Sequence, residues 1–128
     1  MIDHTGVRVS EIAKSKAFYR AALAPLGHAL LLEFPAEVTG ADEAAGFGVP
    51  PRRDFWIAQG SPNRPPIHVA FRVGEHALVD AFHVGAPGPR PHYHEDYYAA
   101  FVLDFDGHNI EVVCHEPAPT PPGRPAAR

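Results

Sequence analysis

Histidine is the residue type that best equips this sequence for chemistry, with nine among 128 residues, whereas cysteine occurs once, as Cys114. A single cysteine excludes an intrachain disulfide and any cysteine-rich zinc site, so a metal held here must rely on imidazole and carboxylate. Two of the histidines stand in matched surroundings. His-Thr-Gly-Val-Arg-Val-Ser-Glu starts at His4, and His-Val-Ala-Phe-Arg-Val-Gly-Glu starts 64 residues later at His68. At the same offset Ala17-Phe18 matches Ala81-Phe82, so the likeness extends beyond one strand and marks two copies of one unit. A lone histidine opening a strand is more often structural than a ligand; the matched second one changes that balance. A further concentration lies at 91–98, Pro-His-Tyr-His-Glu-Asp-Tyr-Tyr. Here His92, His94 and Tyr98 are the candidate acid–base residues, because imidazole exchanges protons near neutral pH. If 90–94 is a strand, His92 and His94 share one face and Tyr93 takes the other, with Tyr98 facing a cavity from the next strand. An ordinary polar loop is the competing reading of this segment.

The elements that must position these residues follow from periodicity. Thr5, Val7 and Val9 alternate with His4, Gly6 and Arg8, as a half-buried strand requires, and Val69, Phe71 and Val73 alternate with His68, Ala70 and Arg72. Both histidines therefore lie on the strand face opposite the apolar one. Ser10 offers an N-cap to a helix carrying Ile12, Phe18, Tyr19, Ala22 and Leu23, which Gly27 ends after Pro25. Gly74 precedes a similar helix with Leu78, Phe82 and Val84, broken by 86–89. Short strands are expected at about 28–34, 44–49 and 54–59, then 90–94, 98–103 and 108–114. Asp106-Gly107 is a hairpin signal, since Gly accepts positive φ and Asp bonds back to nearby backbone. The expected fold class is α+β, two tandem βαβββ modules at about 1–60 and 66–116 within one domain over 1–116. The Pro/Ala-rich stretch 117–128 reads as a disordered tail.

Composition narrows the partners. With 45% hydrophobic and 20% charged residues, the chain suits one compact domain with a proper core. A formal charge of −4 gives nucleic acid and anionic membranes no electrostatic attraction. No apolar run approaches bilayer length and Met1-Ile2-Asp3-His4 lacks the basic start of a signal peptide, so a cytoplasmic location is expected. Arg8 and Arg72 share the histidine face and are expected to pair with Asp or Glu. Cys114 alternates away from Glu111 and should pack as a small apolar residue. His76, His83 and His115 are expected to be solvated.

The repeated strand–helix–three-strand unit resembles the vicinal oxygen chelate superfamily over roughly residues 2–115. Ile-Asp-His-Thr-Gly-Val-Arg-Val, Ser-Lys-Ala-Phe-Tyr and Ala-Phe-Val-Leu-Asp-Phe-Asp-Gly-His-Asn-Ile-Glu-Val-Val carry the likeness. This superfamily includes glyoxalase I, fosfomycin-resistance transferases, extradiol dioxygenases, methylmalonyl-CoA epimerase and bleomycin-resistance proteins. The resemblance implies sheets curled around a cavity, with His4, His68 and Glu111 as ligands of a divalent metal ion. Fe, Mn, Ni and Zn all accept that donor set. The fourth position falls near Ile57, where glyoxalase I has a carboxylate, with Gln59 as a substitute ligand. Phe105 stands where the family commonly has proline. The implied function is that of a metal-dependent lyase, isomerase or transferase acting on a small vicinal-oxygen substrate, in a homodimer. An extradiol-type dioxygenase and a metal-free binding protein of the bleomycin-resistance type are the alternatives.

Overall fold

The computed structural model describes residues 1–40, 42–82, 88–89 and 97–119. The expected strand at 90–94, with His92, Tyr93 and His94, lies outside them, as do His83, Val84 and residues 120–128.

Alternating apolar residues build β1 (Thr5–Val9), and a 12-residue amphipathic segment follows as α1 (Ile12–Leu23). A 3-10 turn at Ala24–Leu26 ends at Gly27, whose φ of 81° lets its N–H return to the Ala24 carbonyl, 3.0 Å away. Then come β2 (Ala29–Phe34), the short α2 (Ala36–Thr39), β3 (Ala44–Gly48) and β4 (Phe55–Gln59). The second unit repeats the plan with β5 (His68–Val73), α3 (His76–Ala81), the two-residue β6 (Gly88–Pro89), β7 (Tyr98–Leu103) and β8 (Asn109–Cys114). Each unit forms its own four-stranded mixed sheet, ordered β1-β4-β3-β2 and β5-β8-β7-β6. In each the first and last strands run parallel while the hairpin strands are antiparallel. The α+β architecture of two βαβββ modules is therefore present, as two separate sheets.

The core collects on the helix faces of both sheets. Val7, Val9, Tyr19, Phe47, Phe55 and Ile57 from the first unit join Val79, Phe82, Ile110, Val112 and Cys114 from the second, all buried. Phe55 meets Phe71 edge-on across the unit boundary, with ring centroids 5.4 Å apart. Cys114 packs there as a small apolar residue, as expected.

Two buried polar side chains, Asp104 and His108, tie the units together. Asp104 accepts the Tyr19 hydroxyl at 2.5 Å and the backbone N–H groups of Asp106 and His108, both at 2.9 Å. Burial first, and then this bond, push the Tyr19 phenol well above its ordinary pKa. The hairpin at Asp106-Gly107 forms, with Gly107 at φ 85°. The backbone-bonding carboxylate in it is Asp104, because Asp106 instead accepts the Ser10 N–H and hydroxyl at 3.0 and 2.6 Å. Ser10 is thereby diverted from the expected N-cap, and α1 begins from Glu11 without a side-chain cap of its own. Gln59 fills that role from β4, accepting the Ile12 N–H at 2.8 Å and donating to the Ser10 carbonyl at 2.6 Å. His108, fully buried, accepts the Ile67 N–H on Nδ1, so Nε2 carries the proton and donates to the Arg8 carbonyl, both at 2.9 Å. Among the described residues no helix is long and apolar enough to cross a membrane.

Candidate functional site

Strand register decides which side chains share the faces turned away from the helices. In the second unit Ala70 lies opposite Glu111 on β8, which lies opposite Phe101 on β7. One step along β5, on the same face, stands His68. Its Nε2 is 3.0 Å from Glu111 Oε1, and the carboxylate is only 3% exposed while the imidazole is 50% exposed. A buried carboxylate needs hydrogen-bond partners to offset lost hydration, and Glu111 has one besides this ion-pair contact. The Tyr97 hydroxyl donates to its other oxygen, Oε2. Tyr97 in turn meets the edge of the His115 ring at 5.5 Å, and the His68 ring lies 6.4 Å from Phe101. The result is an exposed imidazole beside a buried carboxylate that a phenol holds by a hydrogen bond from the other side.

His4 precedes β1 at the equivalent position of the first unit. It is exposed and its Nδ1 bonds Asp3 Oδ2 at 2.7 Å, which lowers the Asp3 pKa. His4 and His68 line the same surface depression, with Thr5, Ile67 and Ala70. Among the described residues no three His, Cys, Asp or Glu side chains converge as a metal-holding group. The structure thus brings His68 and Glu111 together and leaves His4 beside the first of them, outside the pair.

Tyr98 belongs to the other face. It lies opposite Cys114, its hydroxyl donates to Asp80 Oδ1 at 2.5 Å, and its ring stacks on His76 at 4.1 Å. The Asp80 bond raises its pKa. The phase of β7 was ambiguous because Tyr-Ala-Ala-Phe-Val-Leu is apolar on both faces, and the tyrosine facing Glu111 is the preceding one, Tyr97. The candidate acid–base residues His92 and His94 lie outside the described residues. His76 is held between Tyr98 and the Glu116 carbonyl, 2.9 Å from its Nε2, rather than solvated. Arg8 pairs with Asp42 at 3.4 Å and Arg72 with Glu116 at 4.0 Å, as expected.

The fourth-ligand reading fails on register. Ile57 lies opposite Val7 on the helix side and is fully buried, and Gln59, on that same side, is committed to α1. Because Gly6 pairs with Trp56 as Ala70 pairs with Glu111, the first-unit counterpart of Glu111 is Trp56. Its indole lies over Gly46, where a Cβ would approach Cη2 to 2.8 Å, and is parallel to the Phe34 ring within 4° at 5.8 Å. The first-unit face is aromatic where the second is acidic.

No family model matches the chain, and no curated protein matches it. Solved structures do. A glyoxalase/bleomycin resistance protein from Albidiferax ferrireducens matches with TM-score 0.71 at 23% identity, over 89% of this chain and 98% of that one. Lactoylglutathione lyase from Agrobacterium tumefaciens matches with TM-score 0.65 at 16% identity, over 89% and 92%. The fosfomycin resistance protein FosX from Listeria monocytogenes, complexed with Mn(II) and sulfate, matches with TM-score 0.63 at 16% identity, over 89% and 91%. At such identities the likeness is one of architecture: the chain has the glyoxalase-like fold of two paired βαβββ units that these proteins share.

Proposed function

We propose that the chain is a metal-dependent lyase, isomerase or transferase acting on a small substrate with two adjacent oxygens. The observation that carries this reading is the His68–Glu111 pair. An imidazole nitrogen and a carboxylate oxygen, 3.0 Å apart on neighbouring strands, form a donor set suited to Fe, Mn, Ni or Zn. His4, its counterpart in the first unit, is the third donor. A divalent ion held there would act as a Lewis acid towards the chelated oxygens. The protein's own part is to hold Glu111 in a fixed orientation, to leave His68 accessible, and to keep Ala70 small beside them. Mn(II) bound to FosX accords with a divalent ion in this fold. The reading includes a homodimer, because β1 and β5 expose Gly6, Arg8, Ala70 and Arg72 along sheet edges that a second copy would cover.

A metal-free binding protein is the second reading, favoured by the Trp56–Phe34 stack, which offers an apolar ring surface to a ligand. Elemental analysis of protein purified without chelators separates the two, with wild type beside His4→Ala, His68→Ala and Glu111→Ala. About one equivalent of transition metal, lost in each variant, is the expected result. No metal in the wild type, even after reconstitution, overturns the enzyme reading in favour of the binding protein.

A further inference from the structure

We propose that Tyr97 is a positioning residue that fixes Glu111 as a single-oxygen donor aimed at His68; this rests on the metal-site reading above. The argument starts from the two oxygens of one carboxylate. Glu111 Oε2 receives the Tyr97 hydroxyl, while Oε1 faces the His68 nitrogen. A carboxylate free to rotate offers either oxygen, or both, to a cation. One whose second oxygen is engaged by a phenol presents the first alone, in one orientation.

The surroundings are arranged for this. Tyr97 sits immediately before β7, in the alternation that puts Phe101 opposite Glu111, so its ring extends along the same face as the carboxylate. His115 braces the phenol ring edge-on at 5.5 Å. Phe101 and Ala70 flank the carboxylate on the adjoining strands. The next residue provides an internal contrast: Tyr98 has the same side chain and also donates to a carboxylate, but points to the helix side and Asp80. Outer-shell hydrogen bonds of this kind orient ligands and tune the affinity of the site.

The test uses the intact chain, stripped of metal and titrated with Mn(II) followed by calorimetry and by the electron paramagnetic resonance of the bound ion. Tyr97→Phe removes one oxygen and is expected to weaken Mn(II) binding by about 10- to 100-fold with the stoichiometry kept, and to alter the spectrum of the bound ion. Tyr98→Phe is expected to leave both unchanged. Introduced into Glu111→Asp, the Tyr97→Phe change is expected to have a different effect from that in the wild type, since the shorter side chain alters the contact it acts through. Equal Mn(II) affinity and spectra in wild type and Tyr97→Phe would overturn the role of Tyr97 while leaving the metal site standing. Failure of the wild type itself to bind Mn(II), Zn(II), Ni(II) or Fe(II) would overturn the metal reading and this inference with it. A lower melting temperature in Tyr97→Phe with unchanged Mn(II) affinity would also overturn the proposal, by assigning the bond a purely structural role.

Discussion

The two units share one backbone plan and one register, yet their faces away from the helices carry different chemistry. In the second, Glu111 sits opposite Ala70, between His68 and Tyr97. In the first, Trp56 takes the corresponding place opposite Gly6 and lies over Gly46 beside Phe34. A duplicated framework therefore fixes where a side chain points without fixing what it does. The hairpins differ likewise. Asp104 of the β7–β8 hairpin is buried with three donors, whereas Asp54, ahead of β4, is 49% exposed and its carboxylate pairs with His28, at 3.2 Å.

The largest expected effect breaks the comparison at those hairpins. Asp104→Ala strands the Tyr19 hydroxyl and two backbone N–H groups, and should lower stability by about 3 kcal/mol in urea unfolding. Asp54→Ala should cost less than about 1 kcal/mol, as a half-exposed pair does. Equal losses would show that burial does not distinguish the two hairpins. On the faces themselves, Glu111→Ala should weaken metal binding by at least about 100-fold, while Trp56→Ala should leave it within about threefold. A metal titration in which Trp56→Ala is the more damaging variant would move the site to the first unit.

Gly46→Ala tests the aromatic counterpart. The added Cβ would press on the indole edge, and the expected cost is about 1 kcal/mol, as small-to-large changes in packed places give. An unchanged melting temperature would mean that the ring has room to shift. The smallest effect at neutral pH concerns Tyr19. Its phenol pKa is raised in the folded state, so the stability it contributes is complete below the ordinary tyrosine value of about 10 and is lost as the pH rises above it. Melting temperature should fall above about pH 10, and Tyr19→Phe should make that fall shallower. A decline of the same steepness in the variant would remove Tyr19 as its cause.

Much of the fold was legible because periodicity and repetition are properties of the chain itself. The alternation in His4–Val9 and His68–Val73 gave both first strands and their faces, and the 64-residue offset gave the second unit from the first. Gly27 and Asp106-Gly107 marked a helix end and a hairpin, since positive φ favours glycine. The strand pattern failed where both faces are apolar. In β7 it assigned Tyr98 to the cavity. In β4 the family resemblance put the fourth ligand near Ile57, whereas the register makes Trp56 the counterpart of Glu111.

What the sequence determined by itself was the duplicated βαβββ plan and the residue types able to hold a metal, because these depend on local spacing and side-chain chemistry. Only the tertiary structure decided that Gln59 caps α1, that His108 and Asp104 join the units, and that Tyr97 stands on Glu111. The physical reason is that a polar side chain takes whichever complementary group packing brings within hydrogen-bond reach. Residues 14 positions apart, such as Tyr97 and Glu111, or 100 apart, such as Arg8 and His108, meet through strand pairing and unit docking.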